Sequence, residues 1–508
     1  MAIIDTPSIN TRNELLRSER IAGGILPKVL TSFDLIVIFM AIILWLPNAA
    51  IVAGAGAAAY IYWVLGFITF LIPGALITGQ LGLMFPGEGS IYVWTSKALG
   101  NFMGFLAGFC TWWPGILTLI AAGDGVVSLI QQLGNLFGIS LLGAPGTQGF
   151  VIIAVLVFSF VLSMFPFRSA QNFINIIFLT YSGTILLIGL AGIVWLVTGH
   201  QSSVDLSYQS KSWALNGGNF TFYGTVILAL LGVEVPLNMG VEIRDIRSIK
   251  HYLLGGTIMT IVAYLVVTFG VMTVVPLRDQ GNPGGIMEAI QYGFGGAGTW
   301  LAALTDVILI GFFLGTATVF NYSYGRLLFV AGLDRNLPAI ISKVSKNKIP
   351  WVAILAQTII AVTLTAIIFV LAPLSFKSSE LTTLTYDILE ASVTVIWCIS
   401  MVILFFDILV IRRRYAGVFS RIRLAPDWLF YLCTICGSMA SLAAIYVIFT
   451  APWTNSAEGA PLSTEQWDIW IASMVIVSLI VAIFGFSLGR KTMRRDLSDE
   501  EIIKEVTD

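Results

Sequence analysis

Few side chains in this 508-residue chain could do chemistry, and most of them stand inside apolar runs. Glu234 sits in Gly232-Val233-Glu234-Val235-Pro236, a polar interruption of the run 220–239. Trp45-Leu46-Pro47-Asn48, with Gly54 and Gly56 beyond it, interrupts the run 32–57. Asp124, Asp306 and Glu390 each fall a turn or two inside one end of their runs, and Asp34 and Asp407 near the other end. Holding an ionised side chain in hydrocarbon costs at least about 2.5–3.5 kcal/mol, so such carboxylates are expected to face protein or water and to handle ions or polar solutes. For Glu234 two roles stand open: binding the freed N–H groups of an unwound turn, or carrying a proton. Asp124, Asp306 and Glu390 form either an acidic vestibule that attracts cations or three hydrated groups at headgroup level. The two histidines, His200 and His251, lie near run ends, and no Ser/His or paired-His arrangement falls mid-run, so an enzyme is not expected. Cys110, Cys398, Cys433 and Cys436 all fall inside runs. Cys433-x-x-Cys436 lacks the second pair a metal site needs, and reads as packing. No Walker motif, cofactor loop or metal-ligand set is read.

The elements that must position these groups are twelve apolar runs: 32–57, 58–84, 102–133, 149–165, 173–197, 220–239, 252–275, 300–322, 351–371, 384–410, 428–449 and 467–486. Each approaches the roughly 20 residues that cross a bilayer core as a helix. Composition agrees, with 57% hydrophobic and 11% charged residues and a mean hydropathy of +0.90, against about 25% charged in a soluble domain. Threading the chain in and out leaves only Lys211, Arg278 and Lys377 of the 27 Lys and Arg on one face. The other face, which collects Arg326 among the rest, is then cytoplasmic and holds both termini. The net charge of −1 gives no reason to expect nucleic acid. The polar first thirty residues do not read as a cleaved signal peptide. Trp94, Trp300, Trp351, Trp428, Trp453 and Trp467 fall at run ends, as headgroup anchors do. The acidic tail from Leu497 reads as a short solvated helix or a disordered end. The Gly/Pro-rich loop 280–298 is expected to hold a short helix near 287–292.

The first and sixth runs are broken in the same manner, five runs apart. Proline lacks an N–H and collides with the preceding turn, and the backbone groups it frees cannot face lipid. Matching breaks in two halves of a bundle predict an inverted repeat with discontinuous helices and a polar cavity between them that holds the polar ends of a small solute.

The segment Gly79-Gln80-Leu81-Gly82-Leu83-Met84-Phe85-Pro86-Gly87-Glu88-Gly89-Ser90-Ile91-Tyr92-Val93-Trp94, the Gly232-Val233-Glu234 triplet, and Arg326 through Pro338 followed by Lys343-Val344 and Pro350 together resemble the amino acid–polyamine–organocation transporters. The lack of glycine in Met40-Ala41-Ile42-Ile43-Leu44-Trp45 makes the resemblance closest to the bacterial glutamate–GABA antiporter branch. The resemblance implies an all-α integral membrane protein of twelve transmembrane helices. Two inverted five-helix halves (31–199 and 220–412), with helices 1 and 6 broken, are followed by two peripheral helices (428–488), between cytoplasmic tails 1–30 and 489–508. It implies secondary transport of amino acids across the cell membrane by alternating access, by antiport or coupled to a proton or sodium. Carriage of amines or polyamines is the alternative, and a passive channel fits less well. The implied substrate lining is Ile38, Ala41, Ile42 and Trp45; Pro114 and Gly115; Leu228, Leu231 and Gly232; and Phe320, with Glu234, Asp124, Asp306 and Glu390 as gating or coupling groups. Some proton-coupled members carry a fifth-helix lysine, but residues 170–197 contain no Lys or Arg, which leaves the coupling open. Thr316, Thr318 and Ser323 could offer oxygens to sodium or bond back to their own helix.

Overall fold

The computed structural model describes residues 15–375, 379–450, 463–491 and 499–507. Arg12, Lys377, Trp453, Arg494 and Arg495 lie outside the described residues. A short amphipathic helix, α1 (Arg17–Ile25), precedes the bent pair α2 (Ser32–Ile43) and α3 (Pro47–Ala53). There follow α4 (Ala58–Met84), α5 (Ser90–Leu99), α6 (Asn101–Leu136), α7 (Pro145–Ser163) and α8 (Phe167–Val197). Next come the nine-residue α9 (Thr221–Ala229), α10 (Arg247–Val274), α11 (Gly285–Gly293), α12 (Gly298–Leu333), α13 (Trp351–Leu371) and α14 (Ser379–Arg414). The chain continues through α15 (Ala416–Arg421), α16 (Asp427–Thr450), α17 (Thr464–Lys491) and α18 (Asp499–Thr507). Among the described residues, ten helices are long and apolar enough to cross a membrane, or eleven with α2–α3 taken as one span bent by 41°. The only β-type pairings among them are isolated bridges, Leu30 with Ile243 and Glu88 with Met239.

The local reasons are legible. Thr31 and Asp34 form a reciprocal capping box that starts α2, so two orphan donors of its first turn are satisfied. That helix ends at Leu44 because Pro47 has no N–H for the Ile43 carbonyl four residues back. The freed oxygen accepts instead from the Trp45 N–H (3.0 Å) and the Tyr264 hydroxyl (2.6 Å). In the same way Pro236 cannot serve Gly232 O, which takes the Val235 N–H at 3.1 Å. Past α9 the chain therefore runs as tight turns over Val235–Asn238 and Gly240–Glu242. The core centres on α6, α12, α14 and the two broken segments, while α16 and α17 flank it.

Several side chains stand elsewhere than the sequence suggests. Arg326 is no loop charge: it is buried in α12 and paired with Glu242 at 2.9 Å. Lys97 is buried against Glu19 on α1, also at 2.9 Å. Trp94 and Trp467 are buried, donating to the carbonyls of Phe85 and Ile448, whereas Trp300 and Trp428 are exposed as interface anchors should be. Asp34 is paired with Arg168. Asp407, near a run end like Asp34, is neither hydrated nor paired with a basic residue among the described residues; it is buried and accepts from the Thr95 hydroxyl. The C-terminal α18 is not merely solvated; Ile502 and Val506 are buried, and Arg20 on α1 reaches Asp499 at 3.1 Å. The short helix expected near 287–292 is α11.

Candidate substrate site between the helix breaks

A cavity opens where the two breaks meet. Its walls are Ile42, Ile43, Trp45 and Asn48 from the first break, Leu228, Ala229 and Leu231 from the end of α9, Leu117, Thr118 and Ala121 from α6, Phe320 from α12, and Leu389, Glu390, Val393, Thr394 and Trp397 from α14. Of the expected lining, Ile42, Trp45, Leu228, Leu231 and Phe320 are present, and so is Glu390. Ile38, Ala41, Pro114, Gly115 and Gly232 are buried but not in that wall. Pro114 lies inside continuous helix α6, and a Cβ on Gly115 would lie 2.5 Å from the Tyr324 ring. The helix therefore offers the cavity the face one turn further on, Leu117, Thr118 and Ala121. Asp124 and Asp306 are likewise outside the wall; Asp306 is buried, Asp124 half-buried, and neither joins Glu390 in the cavity.

Glycine is required at position 232. Its φ is +105°, and a Cβ there would meet Ile42 Cγ2 at 2.4 Å and the Trp397 ring at 3.4 Å. Left-handed backbone strains any residue with a Cβ, and here the absent Cβ also lets the two breaks touch. Behind them the backbone is stitched by tyrosines: Tyr181 donates to Leu44 O, and Tyr264 spans from Ile43 O (2.6 Å) to Ala229 O (3.3 Å). The carbonyls of Ile43, Leu44 and Ala229 are thus held by protein hydroxyls, which satisfies groups that would be costly if left bare in an apolar interior.

Glu234 is wholly buried and turned into the protein. Its Oε1 accepts from the Trp397 indole at 3.2 Å, and its Oε2 has no hydrogen-bond partner among the described residues. An aromatic series runs back to the first break: Trp397 edge-on to Tyr324 (6.2 Å), Tyr324 stacked on Phe320 (5.5 Å), and Phe320 edge-on to Trp45 (6.3 Å). Thr316 donates to Ala41 O at 3.2 Å, tying α12 to α2, while Thr318 bonds back to Leu314 O. Ser323 lies 4.0 Å from Met239 Sδ.

Sequence reading missed Trp397, Thr394, Thr118 and the tyrosine stitches. Each is a single polar or aromatic residue in an apolar run, where spacing alone does not separate lining from packing. Asn48, beside Pro47, was the one with a signal.

A helical membrane protein with two proline-broken segments around a mid-bundle cavity is the architecture of a solute carrier. The chain belongs to the amino acid permease family, whose model matches residues 30–489. Relatives include an uncharacterized transporter of Legionella pneumophila, 26% identical over 352 residues (68% of this chain, 74% of the relative). A probable agmatine/putrescine antiporter of Lactococcus lactis is 24% identical over 343 residues, 64% of this chain and 68% of its own. A lysine-specific permease of Lactococcus lactis subsp. cremoris is 24% identical over 323 residues, 61% of this chain and 62% of its own.

Proposed function

We propose that the chain is a secondary carrier that binds the ammonium group of an amino acid or amine in the cavity between the breaks and moves it by alternating access. The observation that carries this reading is the cavity's chemistry: among the described residues of its wall Glu390 is the one ionisable side chain, and it stands with the aromatic rings of Trp45, Phe320 and Trp397. A carboxylate and aromatic faces together attract a cation. Ile42, Leu228 and Leu231 shape the apolar walls, and Asn48, Thr118 and Thr394 offer hydrogen bonds. Ile38, Ala41, Pro114, Gly115 and Gly232 act from behind the wall by setting its shape, and Asp124 and Asp306 draw cations toward it. Glu234 holds the second break through Trp397.

In this reading α9 and the turns after it form one crossing with a break, which brings the total to twelve. The halves 31–199 and 220–412 are then inverted repeats, with 428–488 peripheral and tails 1–30 and 489–508 in the cytoplasm of a cell membrane. The distribution of Lys and Arg supports that orientation. The test is counterflow in proteoliposomes loaded with putrescine, agmatine, lysine or glutamate: trans substrate accelerates uptake of the same labelled compound. No acceleration with any amino acid or amine, or a large passive current, sinks the reading.

Glu390 favours amines and basic amino acids over neutral ones. Glu390→Gln is expected to weaken putrescine by at least about tenfold, the scale of one charge-assisted bond of about 1.5–3 kcal/mol, and a neutral amino acid by less. Equal loss for both would refute this preference.

A further inference from the structure

Away from the cavity, two buried carboxylates share one buried guanidinium. Arg326 on α12 donates from Nε (3.2 Å) and Nη2 (2.9 Å) to Glu242 Oε1, and from Nη1 to Tyr322 O (3.0 Å). Its plane lies over the Phe167 ring at 4.9 Å. Glu88, in the loop between α4 and α5, approaches the same Nε at 3.9 Å and accepts the Val241 N–H at 3.1 Å. All three side chains are 0–1% exposed. Glu88 Oε1 and Glu242 Oε2 have no hydrogen-bond partner among the described residues.

Two other acids beside the cluster are already committed. Glu19 borders the same loop at Gly87 and is bound to Lys97. Asp34 is bound to Arg168, and Tyr322 gives its hydroxyl to Gln171 at 2.6 Å. On the facing turn Asn238 accepts from Ser90 Oγ. With both glutamates ionised, one positive charge would face two negative ones in a site closed to bulk solvent, and an uncompensated buried charge costs several kcal/mol. Arg326 is spent on Glu242, so Glu88 is the group left over.

We infer that closing the cytoplasmic face binds one proton on Glu88, and that opening it releases that proton to the cytoplasm. The Glu88 carboxylate takes the proton from cytoplasmic water as the 85–89 loop and the 235–243 segment close on α12, and returns it when they part. Burial, and then the Glu242 charge, pushes Glu88 well above the usual carboxylate range in the closed form, and hydration on opening restores it. A group whose closed-state value is raised favours closure at low pH and loses that contribution as pH rises. This inference rests on the carrier reading above, because only a carrier must open this face.

The test uses full-length protein in nanodiscs, its four cysteines replaced by serine and Ser323→Cys added as a reporter. Ser323 is buried next to Met239 behind the closing segment. Maleimide labelling rates are measured from about pH 6 to 8 with and without Glu88→Gln, and the ratio of the two cancels the thiol's own titration. The ratio is expected to climb toward about tenfold per pH unit, the limit for one linked proton. Glu242→Gln, which frees Arg326 for Glu88, flattens the climb, and Glu88→Asp keeps it; these two variants decide the matter if Glu88→Gln does not fold. A ratio flat across the range, or a climb that persists in Glu242→Gln, overturns the inference. Absence of counterflow, by contrast, counts against the carrier reading.

Discussion

Gly232→Ala is the most informative single change. The backbone at φ +105° costs an alanine about 1–2 kcal/mol. The new methyl would also lie 2.4 Å from Ile42 Cγ2, and relieving such an overlap by shifting a packed core typically costs about 1–3 kcal/mol. The second contribution belongs to Ile42 and the first does not, so Ile42→Ala in the same molecule should return the steric part and leave the backbone part. We predict that Gly232→Ala lowers the thermal midpoint of detergent-solubilised protein and abolishes exchange. Ile42→Ala should therefore cost at least about 1 kcal/mol less in the Gly232→Ala protein than in the original, the coupling expected of residues in contact. The assay is tryptophan-fluorescence melting of the four proteins of the double-mutant cycle, alongside counterflow. Additive effects within about 0.5 kcal/mol, or a Gly232→Ala protein as stable and active as the original, would refute the claim that the two breaks meet at this glycine.

Other consequences follow from the same contacts. Trp397→Phe keeps the ring but removes the donor to Glu234 Oε1, and should destabilise the protein by about 1–3 kcal/mol, the cost of leaving a buried acceptor without its partner; thermal melting reads it, and Glu234→Gln in the same background should soften the loss. Asp334, just past α12, accepts from the N–H (2.7 Å) and hydroxyl (2.9 Å) of Ser18, and burial raises it to about 6. A raised folded-state value stabilises at low pH and loses that contribution as pH rises through about 6. Docking of α1 should therefore loosen between about pH 4 and 6, as proteolysis within α1 would report, and Asp334→Asn should remove that dependence. A wild-type profile identical to the Asn variant's would contradict it.

The broken segments were legible because proline acts through its own chemistry: Pro47 and Pro236 deny Ile43 and Gly232 carbonyls their helical donors wherever the chain packs. Glu234 was legible for a similar reason, since a carboxylate in an apolar run must be housed. Tertiary assignments were less so. Arg326 sits at the end of an apolar run and looked like a loop charge; only the return of the chain at Glu88 and Glu242 shows that it is buried between two acids. Trp94 and Trp467 have the spacing of interface anchors, yet α5 and α17 rotate them onto carbonyls. Pro114 and Gly115 were expected in the wall, but α6 runs straight through them and turns its next face inward. Asp407 carries no sequence mark separating a buried threonine-bonded acid from a hydrated one. Element identity follows from periodicity and breakers, whereas which face looks inward depends on neighbours far along the chain.

In the proposed carrier the substrate sits against α14 in the cavity between the breaks. Thr394→Cys in the cysteine-free background places a thiol in that wall. Labelling of this thiol should slow in proportion to occupancy when a compound that exchanges in counterflow, such as putrescine or lysine, is added, and should be untouched by a compound that does not exchange. Labelling unaffected by a compound the protein demonstrably transports would place the site elsewhere.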